Sequence, residues 1–184
     1  MRVTETELPG VLLIEPVIHG DDRGFFVETY NEKRYREHGI DAIFLQDNHS
    51  LSRHGTLRGL HTQTRTPQAK LVRASRGEIF DVAVDIRLES PYFGRWTGLF
   101  LSAENFRQCY IPAGFAHGFC VVSEIAEVQY KCTEYYNSEA EVSIAWDDSN
   151  ISIDWPVGEP LLSAKDARAL TLQEVAISLP GVDT

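Results

Sequence analysis

The sequence predicts an all-β domain, a sandwich or barrel, and three observations carry that expectation. From Leu57 onward, short runs rich in β-branched and aromatic residues recur at close intervals: KLVRAS, EIFDVAVDIR, WTGLFLS, QCYIP, HGFCVV, AEVQYKCTEYY and VSIAW. Gly, Pro and Ser separate them, and SPYFG has the chemistry of a turn. Only two segments, Glu32–His38 and the stretch near Lys165–Leu170, read as helical. Short, regularly spaced strands with few helices are the mark of packed or closed β-sheets.

The elements follow in order. Val11–Val17 (VLLIEPV) is a short apolar run that suits an early strand. A turn at Gly20–Gly24 is followed by alternation through Phe26, Glu28 and Tyr30. Asn31 can cap the helix EKRYREHG, and Gly39 is its stop signal. Phe44–Asn48 is strand-like but ends in three polar residues. The run Ile79–Ile86 alternates cleanly after the turn at Arg76–Gly77. No repeat, linker or low-complexity tract interrupts the chain, so residues 1–184 are expected to form one domain with a sizeable core.

The charge balance narrows the function. With 17 Lys+Arg against 27 Asp+Glu and a net charge of −10, the chain lacks the basic face that nucleic-acid phosphates require. No apolar run approaches a membrane span and the N-terminus has no apolar leader core, so a cytoplasmic protein without membrane contact is expected. Cys109, Cys120 and Cys132 are odd in number, show no CxxC spacing and read as reduced, buried thiols. Against this acidic background, Arg58–Arg73 (RGLHTQTRTPQAKLVR) gathers His61, Lys70 and the arginines 58, 65 and 73. Such a cluster suits either a small anionic ligand or an ordinary solvated strand.

Two histidine motifs sharpen the choice. Gly55 to His61 reads G-x5-H, and Pro112 to His117 reads P-x-G-x-x-H. Together they resemble the two signatures of cupins, a jelly-roll family. Metal-binding cupins continue the first motif as H-x-H with a nearby glutamate; here Thr62 and Gln63 follow His61. Two histidines are a poor transition-metal set, so no metal is expected.

RGLHTQ, QAKLVR, GEIFDVAVDIR, SPYFGRW, LSAEN, IPAGFAHGF, YKCTEYY, IDWP and LSAKD, together with DDRGFFVETYN and QDNHS, occur in this order. The set resembles the dTDP-4-dehydrorhamnose 3,5-epimerase family from about Gly10 to Asp166. The resemblance implies a cupin-type jelly roll (a double-stranded β-helix) with a few short helices. It also implies a cofactor-independent isomerase that inverts C3 and C5 of dTDP-4-dehydro-6-deoxy-D-glucose, giving dTDP-4-dehydro-L-rhamnose in rhamnose biosynthesis.

Inversion beside a ketone needs a base, an acid on the opposite face and a group to stabilise the enolate. By resemblance His61 is the base, Asp166 its carboxylate partner, Tyr130 the acid and Lys70 the cation beside the ketone oxygen. His117 is expected to line the sugar pocket. Arg58 and Arg23 suit the diphosphate, since guanidinium groups engage phosphate bidentately. Gln46, Asp47, Asn48 and Glu28 match positions at the nucleoside end; Tyr136 matches an aromatic that stacks on thymine, with Phe26 nearby. Glu141 and Lys165 match further ligand contacts. The resemblance also implies a homodimer whose N-terminal segment, with Arg23 and Glu28, reaches the partner's site.

Thr62 stands where the family commonly has an aromatic, and strand alternation is expected to turn it away from the pocket. Two other readings stay open at this stage: a mono-epimerase or ketoisomerase of a related deoxysugar pathway, and a non-catalytic nucleotide-sugar binding module.

Overall fold

A computed structural model describes residues 1–179. β1 (Arg2–Glu5) and β2 (Leu12–Glu15) form a hairpin, as do β3 (Ile18–Asp21) and β4 (Gly24–Val27). The helix α1 (Glu32–Glu37) is capped by the Asn31 side chain, which accepts from the Arg34 N–H, as the sequence predicts. There follow β5 (Gln46–Arg53), β6 (Leu57–Gln63), β7 (Lys70–Arg76), β8 (Glu78–Asp85) and β9 (Trp96–Ser102). The remaining strands are β10 (Gln108–Ile111), β11 (Phe115–Val121), β12 (Ile125–Cys132) and β13 (Glu141–Ser143).

The main strands assemble into two antiparallel sheets. One is six-stranded, in the order β1-β2-β10-β7-β12-β5; the other is five-stranded, in the order β13-β6-β11-β8-β9. This is the jelly roll expected from the sequence. Strand alternation sorts the side chains into three layers. Between the sheets, Val72, Ala74, Ile79, Ala83, Phe115, Phe119, Ala126 and Val128 pack together. Outside the five-stranded sheet, Phe80, Val82 and Val84 meet the C-terminal segment through Trp155, Leu172 and Val175. Outside the six-stranded sheet, Tyr35 of α1 covers Ile14 and Leu71.

Strands β8 and β11 are therefore buried on both faces, which explains their nearly continuous apolar character. All three cysteines are free and buried. The N-terminal strand β1 is an addition to the sequence reading. At the C-terminal end, the segment near Lys165–Leu170 forms only a 3-10 turn, Asp166–Arg168. The true helix is α2 (Leu172–Ser178), opened by a capping box between Thr171 and Glu174.

Two glycines let the five-stranded sheet close up beside the histidines. Gly59 has φ +125°, and a Cβ there would lie 2.5 Å from the Gly118 Cα. Gly118 is equally constrained, since its Cβ would sit 2.9 Å from the Arg58 carbonyl oxygen. Beside this close approach the β6–β11 register shifts between His117 and Phe119, and His61 lies opposite His117. A side chain at either glycine would separate the two strands that carry the histidines.

Candidate active site

The inward faces of the two sheets leave a cavity of about 640 Å³. It brings together His61, Lys70, Tyr130, Asp166, His117, Arg58, Glu141 and Lys165, all singled out from the sequence. His61 and His117 come from the five-stranded sheet, Lys70 and Tyr130 from the six-stranded one. Groups on two facing walls can reach opposite sides of a bound molecule.

His61 Nε2 lies 2.6 Å from Asp166 Oδ1, across 105 residues of chain. The Asp166 side chain is 4% exposed, whereas the His61 ring keeps 23% of its surface open. Ser163 completes the arrangement: its hydroxyl donates to Asp166 Oδ2 at 2.8 Å and accepts from the Asp166 N–H at 3.1 Å. Burial pushes the Asp166 carboxyl upward, but hydrogen bonds from His61 and Ser163 outweigh it and leave the pKa below its ordinary value. An ionised carboxylate so held fixes the imidazole tautomer, with the proton on Nε2 and Nδ1 free to accept.

His117 forms a second pair, with Nε2 2.7 Å from Asp81 Oδ1. Here both side chains are buried, and desolvation holds the His117 pKa below its usual value despite the carboxylate. Asp81 was not among the sequence candidates. A signal was present: it is a charge on the inward face of β8, between Ile79 and Ala83, where only a specific partner offsets burial.

Three cations lining the cavity, Arg53, Arg58 and Lys70, form no ion pair with an acidic residue among the described residues. Lys70 forms no ion pair there, and burial lowers its pKa from the ordinary lysine value. Arg58 donates through Nε to the buried Ser52 hydroxyl at 3.0 Å, which leaves its terminal amino groups available. Tyr130 is held protonated by burial, which raises its pKa. Arg73 and Arg65 do not belong to the cluster: Arg73 faces outward and donates to Gln129, and Arg65 lies exposed in the loop after β6.

At one side of the cavity, Glu141 accepts from Lys165 Nζ and from the Tyr136 hydroxyl, both at 2.8 Å. These contacts overcome burial and depress the Glu141 pKa. Gln46 joins the group by accepting the Tyr136 N–H at 2.9 Å, and its amide nitrogen donates to Asn48 Oδ1 at 2.8 Å. Asp47 is set apart. Strand alternation sends its side chain to the outer face, 2.7 Å from Lys131 Nζ. Arg23, Phe26 and Glu28 also lie outside the cavity. Arg23 and the 69% exposed Phe26 belong to the β3–β4 hairpin, and Glu28 pairs with Arg34 at 3.1 Å. Thr62 is buried on the face opposite His61 and lines a separate cleft, as alternation predicts.

Among the described residues, no group of three His, Cys, Asp or Glu side chains could hold a metal ion. A jelly roll with a cation-lined cavity and a histidine–aspartate pair facing a tyrosine and a lysine defines a proton-transfer site for an anionic ligand. The comparisons with known proteins name the group. The profile of the dTDP-4-dehydrorhamnose 3,5-epimerase family matches residues 5–174, and the chain belongs to that family. The Pseudomonas aeruginosa dTDP-4-dehydrorhamnose 3,5-epimerase is 56% identical over 168 residues, 90% of this chain and 93% of the relative. The Legionella pneumophila dTDP-6-deoxy-D-glucose-3,5-epimerase, solved with dTDP-4-keto-L-rhamnose, superposes with a TM-score of 0.95 at 51% identity, over 100% of this chain and 99% of that one. A 3'-monoepimerase from Streptomyces bikiniensis, solved with dTDP-quinovose, gives a TM-score of 0.89 at 36% identity over 96% and 91%.

Proposed function

We propose that this protein inverts C3 and C5 of dTDP-4-dehydro-6-deoxy-D-glucose to give dTDP-4-dehydro-L-rhamnose. The observation that carries the proposal is the His61–Asp166 pair, open to a cavity whose facing sheet supplies Tyr130 and Lys70. His61 removes the proton beside the C4 ketone, and Asp166 stabilises the imidazolium that forms. The electron pair moves into an enolate whose oxygen is stabilised by the Lys70 ammonium, a cation in a poorly solvated place. Tyr130 then delivers a proton to the opposite face of the carbon, and its raised pKa keeps that proton available at neutral pH. Repetition at the second carbon completes the double inversion.

His117 bounds the sugar end of the cavity, and the open guanidinium end of Arg58 receives the diphosphate. Tyr136 stacks on the thymine, with Gln46, Asn48, Glu141 and Lys165 around the nucleoside end. Arg23, Phe26 and Glu28 act in a homodimer, where the projecting β3–β4 hairpin extends into the partner's site. The exposed Val17, Ile18, Phe25 and Phe26 support that reading, because they give the hairpin an apolar surface suited to a second copy. The buried, free thiols suit a reducing cytoplasm.

Proton NMR with the sugar nucleotide in D₂O tests the assignment. The account predicts loss of both the C3 and C5 proton signals, unchanged by a chelator. Loss at a single carbon would make the protein a mono-epimerase; no loss with nucleotide still bound would remove the enolate mechanism.

A further inference from the structure

The loop between β12 and β13 carries Tyr136, and its backbone is tied down by side-chain amides from outside the loop. Gln63, at the end of β6, is 5% exposed. Its oxygen accepts the Asn137 N–H at 2.7 Å. Its nitrogen donates to the Thr66 carbonyl at 2.8 Å, to Thr66 Oγ1 at 3.0 Å and to the Tyr135 carbonyl at 3.3 Å. An N–H on one side and carbonyls on the other admit only this orientation of the amide. Gln68, nearer the surface, donates to the Glu134 carbonyl at 2.7 Å. With Gln46 holding the Tyr136 N–H, every residue from Glu134 to Asn137 is anchored through its backbone.

The Tyr136 residue is nevertheless 56% exposed, while its hydroxyl is fixed on Glu141. A ring with fixed backbone, fixed hydroxyl and open surface is a preorganised stacking platform: the cost of ordering the loop falls on folding instead of on ligand binding. We propose that Gln63 and Gln68 are positioning residues for the nucleobase, acting through the backbone of residues 134–137 to set the Tyr136 ring. The inference rests on the reading of Tyr136 as the base-stacking residue. It also gives a use to the position that metal-binding cupins fill with a second histidine. In this chain that inward-facing side chain ties two loops together.

The test compares binding of dTDP and of inorganic pyrophosphate by calorimetry, because only dTDP carries the base. Tyr136→Ala is expected to weaken dTDP about 10-fold or more, in line with the usual strength of base stacking, with pyrophosphate unchanged. Gln63→Glu should weaken dTDP about 3- to 10-fold and Gln68→Ala about 2- to 3-fold, again with pyrophosphate unchanged. Adding Gln63→Glu to Tyr136→Ala should weaken dTDP no further, since the residue being positioned is gone. Equal loss of dTDP and pyrophosphate in the glutamine variants would mean a general structural role and overturn the inference. So would full dTDP affinity in both variants while Tyr136→Ala weakens it. Full dTDP affinity in Tyr136→Ala would remove the stacking reading itself, and this inference with it. Should Gln63→Glu fail to fold, Gln68→Ala, which loses one hydrogen bond near the surface, decides the matter alone.

Discussion

His61 and His117 face each other across neighbouring strands, and each is bonded through Nε2 to an aspartate, at 2.6 and 2.7 Å. By distance the two pairs are equivalent; their surroundings differ. His61 opens to the cavity, and its partner Asp166 is supported on the far side by Ser163. His117 is buried against Asp81, whose second oxygen makes no hydrogen bond of ordinary geometry among the described residues and lies beside the Cys109 thiol. The His61 ring keeps part of its surface open beside a carboxylate whose two oxygens are both hydrogen-bonded. For the buried ring, desolvation opposes the charged form. The comparison teaches that a histidine–carboxylate distance does not identify a base. Access of the ring to the cavity is what separates the two.

Three experiments would break or sharpen that contrast. The largest effect is expected from Tyr130→Phe, which removes the phenol proposed as the acid facing His61. Inversion should fall about 10²- to 10⁴-fold, while deuterium exchange from the His61 side persists. Loss of exchange and inversion together would mean that Tyr130 does more than deliver the second proton.

The two aspartates should separate next. Asp166→Asn is expected to lower kcat about 10- to 100-fold by weakening the stabilisation of the imidazolium, with a modest fall in the urea midpoint. Asp81→Asn should do the reverse, destabilising by about 1–3 kcal/mol through a mismatched buried hydrogen bond while kcat changes less than in Asp166→Asn. Similar kcat losses in the two variants would erase the distinction between the pairs.

The smallest effect is the pH dependence of stability. The folded-state pKa of His117 is depressed, so the unfolded chain takes up the proton first. Stability from this group is complete above about pH 6.5 and declines below it, until the folded-state pKa is reached. Asp166 is also depressed, so its contribution is present above about pH 3.9 and is lost as pH falls through the folded-state value. Denaturant titrations should show the upper window disappearing in His117→Gln and the lower one shrinking in Asp166→Asn.

Much of this could be read in the chain, and the unread parts have physical reasons. Strand β8 was legible as a short, β-branched apolar run after the turn at Arg76–Gly77, although both of its faces are buried where alternation predicted one, and α1 because Asn31 and Gly39 bound it. His61 and His117 were legible through motif spacing. Asp166 was legible only through family resemblance, since 105 residues separate it from His61 and no local pattern encodes so long a contact. Helix α2 carried a Thr171-x-x-Glu174 capping box that could have been found, but one short segment gives weak periodicity. Ser163, Ser52 and Gln63 act on other side chains or on backbone across the fold, and single polar residues of that kind carry no local signature. The outward turn of Asp47 follows from strand register, which becomes known only once β5 is paired with β12.

The most direct test of the central claim is deuterium wash-in at C3 and C5, followed by NMR at saturating substrate, for His61→Ala and His117→Gln side by side. Retained dTDP binding serves as the check on folding. The account predicts that His61→Ala loses exchange at both carbons by at least about 10²-fold, while His117→Gln stays within about 10-fold of the unmodified protein. Exchange at the normal rate in His61→Ala, or its equal loss in His117→Gln, would contradict the assignment of His61 as the base.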